Sequence, residues 1–347
     1  MSTPLVSIVI VTFNSEIYLH ECLRSVLENR YKRFEVIIFD NNSTDQTHTI
    51  IKKYSKKYPK IISATFHNKN IGFAAANNNA IEIAKGKLVF ILNPDTTVDS
   101  GFLEPLVAEI SKENVAAVQP LVYLFDKKTI NLTGKVMHYL GFDWLRDYKS
   151  TQPPRSQEIH SFSGSGILIN KQHFFSAGMF DEFYFMYYED SDLSWKFNLL
   201  GKKMLFTPAS ILYHDYKYIP QESYQPLKQK YFYIERNRLI TMYKNYSAKS
   251  LFLLIPIFIF MELGLITFAF LDGWGITKLS TYAHILQNIP QIQKKRTDIQ
   301  NKRVVSDKQL FKHMQSTITF EKFANPLINS VANPILNLYF HFLKAVS

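Results

Sequence analysis

The chain of 347 residues holds a single cysteine, Cys22, which excludes an intramolecular disulfide framework and an all-cysteine zinc site. Only 20% of its residues are charged and 46% are hydrophobic, so wholesale disorder is excluded and a large core can form. The first apolar run, Leu5–Phe13, has no basic segment before it and no small-residue cleavage site after it. It reads as a strand and not as a secretory signal, so a cytoplasmic location is expected. No Gly-rich phosphate loop follows that run, which argues against the dinucleotide-binding and P-loop classes. No nucleic-acid motif accompanies the excess of basic residues, so no nucleic-acid partner is expected.

What is present is an alternation. Apolar strands are expected at 5–13, 34–40, 61–66 and 87–92, with helices at 16–29, 45–58 and 71–84 between them. Strands that are apolar throughout and separated by helices of this length predict a parallel sheet covered on both faces. Ligands of such sheets bind beyond the C-terminal strand ends. Those ends are polar here: Thr12-Phe13-Asn14, Asp40-Asn41-Asn42-Ser43 and Asn93-Pro94-Asp95-Thr96. Further on, 161–170 reads as a strand entered through two glycines, and 180–200 as an acidic-aromatic stretch running into a helix. Short strands are expected at 203–206 and 211–213, the second followed by His214.

Charge divides the chain. Residues 1–216 hold 23 basic and 22 acidic residues, whereas 217–347 hold 17 and 7, a net +10. The boundary predicts a catalytic domain over 1–216 and a basic, apolar helical region over 217–347, in keeping with about two domains for this length. Residues 251–271 contain no Lys or Arg and could just cross a bilayer core of roughly 30 Å. Against a simple span stand Glu262 at its middle, Pro256 within it, and basic residues on both flanks. A re-entrant or in-plane segment on an anionic membrane surface fits these features, and a soluble core helix is the alternative. A second apolar stretch, 325–343, is broken by Pro326 and Pro334.

Three groups carry candidate chemistry. Asp95 ends a buried strand, where a carboxylate can hold a hard divalent cation that bridges a diphosphate. Glu189, Asp190 and Asp192 put three carboxylates in four residues beside Phe183, Phe185, Tyr187 and Tyr188. Asp190, at a helix entry, is placed to act as a general base. His214 gains meaning if Asp95 holds a metal, since imidazole can complete such a site.

The strings VSIVIVTFNS (6–15), DNNSTDQT (40–47), NIGFAAANNNAI (70–81), FILNPDTTV (90–98) and FDEFYFMYYEDSDLSWKF (180–197), followed by His214, resemble the family 2 inverting glycosyltransferases. The likeness covers about residues 5–240 and is greatest to the bacterial rhamnosyltransferase-like branch that builds O-antigen and other surface polysaccharides. It implies a GT-A fold, a mostly parallel Rossmann-like sheet with flanking helices, in which 1–120 is the nucleotide-binding half and 121–216 the acceptor-binding half. It implies donor contacts from Thr12, Asn14, Asp40, Asn42, Asn77 and Asn93. Gly164 and Ser165 would lie near the donor sugar, the backbone approaching closely for want of a Cβ. Asp95 and His214 would bind the cation, Mg or Mn. Asp190 would be the base, with Glu189 and Asp192 positioning the acceptor or tuning it.

One departure is that loop 72–77 carries no Arg, so the diphosphate charge is expected to be met mainly by metal and backbone, or by a basic residue elsewhere, with Lys171, Lys217, Arg236 and Arg238 as candidates. The reaction implied is transfer of a sugar, dTDP-L-rhamnose first among donors, to a lipid-linked saccharide at the cytoplasmic membrane face. A UDP-sugar donor, a non-catalytic nucleotide-sugar-binding subunit and a nucleotidyltransferase remain the alternatives.

Overall fold

The computed structural model describes residues 3–216, 224–319 and 326–346. The chain divides into two compact units: Met1–Lys135, Leu145–Phe197 and Lys202–Lys217 form the first, and Val136–Trp144, Asn198–Gly201 and Tyr218–Ser347 the second.

The first unit opens with β1 (Val6–Thr12), α1 (Glu16–Leu27), β2 (Phe34–Asp40), α2 (Thr47–Lys57), β3 (Ile62–Phe66), α3 (Gly72–Glu82) and β4 (Leu88–Leu92). The helices sit where the apolar spacing asks for them: Leu19, Leu23 and Val26 of α1, and Ile51 and Tyr54 of α2, are buried on one face. α3 is short-chained and buried nearly all round, through Ala74, Ala75, Ala76 and Ala80. Then follow along the chain β5 (Thr96–Val98), α4 (Leu103–Ile110), β6 (Val115–Leu124), β7 (Ile130–Leu132), β8 (Lys135–Met137), β9 (Asp143–Leu145), β10 (Gln157–Ile159), β11 (Gly166–Asn170), α5 (Lys171–Ser176), α6 (Glu189–Leu199) and β12 (Lys203–His214); of these, β8 and β9 pair apart from the main sheet and most of their residues fall in the second unit.

The main sheet runs β10-β12-β6-β11-β4-β1-β2-β3, with β5 on β12 and β7 on β6. β4, β1, β2 and β3 are parallel, as the alternation predicts. The sheet as a whole is mixed, because β11 inserts antiparallel to both β4 and β6. β3 is an exposed edge, with only Ile62 fully buried, and is not covered on both faces. The two short strands expected around 203–213 are one strand, β12, whose register on β6 shifts between Thr207 and Ile211.

The antiparallel insertion of β11 decides where residues fall. Gly166 pairs with Leu92 at the C-terminal end of β4, and Asn170 with Leu88 at its start. The glycine-serine turn before β11 therefore lies at the ligand edge. Lys171 lies at the opposite edge, about 16 Å away at the usual strand rise. Its ammonium donates to the carbonyls of Glu82 and Ala84. Lys171 is thereby corrected: it cannot meet a diphosphate near Asp95.

The second unit is helical: α7 (Tyr224–Asn245), α8 (Ala248–Leu271), α9 (Gly275–Gln287), α10 (Ile289–Lys302), α11 (Asp307–Leu310) and α12 (Asn333–Val346). Arg238 of α7 is fully buried in ion pairs with Glu235 and Glu262 and lies over the Phe142 ring. Arg236 is buried against the rings of Phe232 and Tyr233. These internal partners remove Arg238 as a diphosphate ligand. Lys217 falls outside the described residues.

Candidate active site

The strand pairings assemble the first cluster. β5 pairs antiparallel with β12 so that Thr96 faces His214, and Asp215 N donates to Asp95 O at 2.9 Å. Asp95 and His214, 119 positions apart in sequence, are thus neighbours. His214 Nε2 lies 3.3 Å from Asp95 Oδ1. Two adjacent ligands of one small divalent cation, each at about 2.1 Å and at a right angle, are about 3 Å apart. Asp95 Oδ1 is a buried oxygen that receives no hydrogen bond, so the approach of the ring is not an aligned bond. Asn93 Oδ1, Thr96 Oγ1 and Asn77 Oδ1 are buried and unsatisfied as well. Native interiors rarely leave such atoms without a partner unless a ligand or water supplies one. The donor set, one carboxylate and one imidazole, suits Mg or Mn with oxygens of another molecule completing the shell. Among the described residues no group of three or more His, Cys, Asp or Glu side chains forms a cation cage.

Asn131 was not visible from sequence. It lies on β7, fully buried, and its Oδ1 stands 2.9 Å from His214 Nδ1. With Nδ1–H donating to that oxygen, Nε2 keeps its lone pair for a cation, and the ring is held toward Asp95.

The second cluster surrounds Asp190, which is 6% exposed in the first turn of α6. Gly164 N donates to its Oδ2 at 3.0 Å, and Ser191 N to its Oδ1 at 2.8 Å. The Lys135 ammonium lies 2.9 Å from Oδ1 and 3.0 Å from Ser191 Oγ. Lys135 was also missed, being one Lys in a short strand with no motif around it. The Gly164 turn is itself pinned: buried Gln119 donates to Gly166 O at 2.7 Å and accepts from Ser163 N at 2.8 Å. Ser165 O accepts from Asn93 N at 3.1 Å, which joins this turn to the Asp95 loop. Gly164 needs correction in its reason. A Cβ there would meet Phe73 at 3.5 Å and Asp190 Cβ at 3.8 Å, which is ordinary contact. What Gly164 supplies is an N–H aimed at Asp190.

The approach to α6 is strained. Phe185, Tyr187 and Tyr188 have φ of 64°, 65° and 70°, left-handed values that bulky side chains rarely adopt. Gly72, at φ 84°, admits this loop: a Cβ would lie 2.5 Å from Phe185 O, and Ala74 N donates to that carbonyl at 3.2 Å. Burial, with the negative charge of Glu189 next, raises the Tyr187 pKa. Glu189 is buried beside Asp190. Asp192 is fully buried and turned elsewhere, bonded to Lys196 at 2.8 Å and to the Tyr184 hydroxyl at 3.2 Å. These contacts give Asp192 a structural part.

The β1 and β2 ends form the third cluster. Asp40 is fully buried and accepts from Thr12 Oγ1 at 2.8 Å, Ser43 N at 2.9 Å and Ser43 Oγ at 2.6 Å. His48 Nε2 lies 2.7 Å from its Oδ2, and the His48 ring packs edge-on to Phe66. Both oxygens of Asp40 and the hydroxyl of Thr12 are thus engaged within the protein. Asn14 and Asn42 take left-handed φ of 50° and 68°, a conformation asparagine tolerates. Asn14 Oδ1 accepts from Thr44 N at 2.8 Å. Asn77 donates to Phe73 O at 2.9 Å, leaving its oxygen open.

A mixed sheet of this order with helices on its faces is a GT-A-like α/β fold. It is shared with GalNAc-T7, solved with UDP, GalNAc and Mn2+, at a TM-score of 0.58 and 19% identity over 71% of this chain and 48% of that one. It is shared also with the mannosyltransferase PcManGT of Pyrobaculum calidifontis, solved with GDP-Man and Mn2+, at a TM-score of 0.52 and 15% identity over 99% and 88%. Residues 7–175 match the family described as Glycosyl transferase family 2. It is 24% identical to the glycosyltransferase GlyG of Streptococcus pneumoniae over 59% of this chain and 68% of that protein. It is 27% identical to the O-antigen biosynthesis protein RfbC of Myxococcus xanthus over 61% of this chain and 17% of RfbC.

Proposed function

We propose that the protein is an inverting glycosyltransferase that uses a nucleotide-diphosphate sugar in cell-surface polysaccharide synthesis. The observation that carries this reading is the placing of Asp190 and of the Asp95–His214 pair at one sheet edge, tied together through the Gly164–Ser165 turn. Asp190 takes the proton of the acceptor hydroxyl as that oxygen attacks C1 of the sugar. The bond from C1 to the diphosphate breaks, its electron pair leaves with the nucleoside diphosphate, and the configuration at C1 inverts. Gly164 N, Ser191 N and Lys135 hold the carboxylate in its orientation as the base. Asp95 and His214 would hold a divalent cation, which when bound neutralises charge on the diphosphate.

The donor proposed first is dTDP-L-rhamnose, supported by the likeness of the motifs to the rhamnosyltransferase-like branch. The acceptor proposed is a lipid-linked saccharide at the cytoplasmic membrane face, a surface that suits the net +10 of residues 217–347. The test is a panel of dTDP-rhamnose, UDP-galactose, UDP-galactofuranose and UDP-N-acetylglucosamine, scored for EDTA-sensitive binding and slow hydrolysis. One responding donor supports the reading. No response from folded protein supplied with Mg or Mn contradicts it.

A further inference from the structure

The second unit holds an apolar helix that is neither a core helix nor shaped for a simple crossing. α8 has 24 residues and a mean hydropathy of 2.4 over its most apolar window, only 22% of which is buried. Its inner face carries Leu254, Ile257, Glu262, Leu265 and Ala269. Its outer face carries Phe252, Ile255, Ile259, Leu263, Phe270 and Leu271, exposed from 47% to 85%. α9 and α12 add exposed Ile276, Leu279, Leu338 and Phe342. An apolar surface of this extent is not left to water in a working protein.

Between Ser250 and Leu271 the helix has one charged residue, Glu262, and it is turned inward. Glu262 pairs with Arg238 of α7 and with Lys278 of α9 at 2.7 Å, and the Tyr282 hydroxyl donates to it. Glu235 of α7 completes the cluster with the same two cations. Two carboxylates and two cations therefore cancel inside the unit, and the midpoint of α8 is bound to α7 and α9. Burial alone would raise the pKa of Glu262, but the charges of Arg238 and Lys278 outweigh it and hold it below the usual carboxylate value. A crossing of α8 would draw these neighbours and their charges toward hydrocarbon, which is unfavourable.

Charge names the occupant of the outer face. The region is net +10, and Lys249 at the start of α8 and Lys294 and Lys302 on α10 are exposed. A second copy would bring like charge against like, whereas anionic lipid headgroups complement it. We infer that α8, with the exposed faces of α9 and α12, lies in one leaflet of an anionic bilayer, its inner face on the protein and both ends on the same side. The outer face would enter the leaflet by about 5–10 Å. This rests on the placing of the enzyme at the cytoplasmic membrane surface and not on its chemistry.

The test uses the full chain. Cys22 is fully buried and its thiol pKa is pushed up by burial, so single-cysteine labelling reads without background. Lys249→Cys and Lys294→Cys should both react with an impermeant maleimide in inverted membrane vesicles, and neither in spheroplasts. Reaction of one end from each side would overturn the inference. Purified protein should float with phosphatidylglycerol vesicles at least tenfold more than with phosphatidylcholine vesicles. The Phe252→Ser/Leu263→Ser/Leu271→Ser variant should lose that flotation while keeping its circular dichroism and nucleotide binding. Flotation that survives the triple change, or a wild-type dimer that does not float, would also overturn it. Nucleotide binding measured on the same samples separates this outcome from failure of the catalytic reading.

Discussion

Asp40 ends β2 and Asp95 follows β4 in one sheet, the one expected as a donor contact and the other as a cation ligand, yet their surroundings are opposite. Asp40 accepts from Thr12, from Ser43 twice and from His48, and is fully buried. Asp95 keeps a buried oxygen that no protein donor satisfies, with an imidazole nitrogen 3.3 Å away. A saturated carboxylate holds its own loops together, whereas an unsaturated one beside an imidazole has the donor set that the proposed cation would need. Asp190 stands between the two: three groups hold it, and the proposed chemistry still asks it to take a proton.

The largest expected effect breaks the comparison at Asp190. Asp190→Asn should lower transfer by about 10²–10⁴-fold while nucleotide affinity stays within threefold of wild type. Full activity in that variant would show that a carboxylate so engaged is structural, like Asp40.

Next is stability. Asp40→Asn should cost about 3 kcal/mol in urea unfolding, because it disrupts a fully buried carboxylate with charge-assisted bonds. Asp95→Asn should change stability by less than about 1 kcal/mol, since no aligned bond is lost. Equal losses would erase the distinction between the two sites.

Asn131→Ala sharpens the Asp95 side. Mn2+ affinity, read by the free-ion electron paramagnetic resonance signal, should fall about 10–100-fold as the His214 ring loses its orientation. Asn131→Asp should restore it, a recovery that a purely packing role would not produce.

A further prediction extends the idea of saturation to the second unit. Burial alone would raise the Glu235 pKa, but the charges of Arg238 and Lys278 hold it at about 2. Burial, helped by the charge of Arg238, lowers the pKa of His138 to about 3. Both folded values lie below the unfolded ones, so each contribution is present above the unfolded pKa and lost as pH falls through the folded one. The second unit should lose stability from about pH 6.5 down through His138, and from about pH 4.5 down through Glu235. Glu235→Gln should flatten the lower limb in a pH series of urea midpoints.

The parallel half of the sheet was legible because β1, β2 and β4 are buried strands separated by helices with one-sided apolar spacing. The antiparallel insertion of β11 was not, since a strand's direction leaves no mark on its own residues. That one unread feature sent Lys171 to the far edge and gave Gly164 a different role from the one expected. Motif spacing pointed to Asp95, Asp190 and His214, but not to the partners that hold them. Asn131 and Gln119 are isolated polar residues on strands, and only the pairing of β5, β6, β7 and β12 brings them to the site; Lys135, on β8, is held there by its own N–H, which donates to Ser161 O. In the second unit, composition showed an apolar helix with one acid, while the inward pairing of Glu262 depended on the packing of three helices.

The most direct test of the central claim is calorimetric binding of nucleoside diphosphates, dTDP and UDP, with and without EDTA, to wild type and to Asp95→Ala. The account predicts that EDTA weakens wild-type binding to the level of the variant and leaves the variant unchanged. An EDTA-sensitive affinity that is the same in both proteins would remove Asp95 from the cation site and with it the distinction drawn from its unsatisfied oxygen.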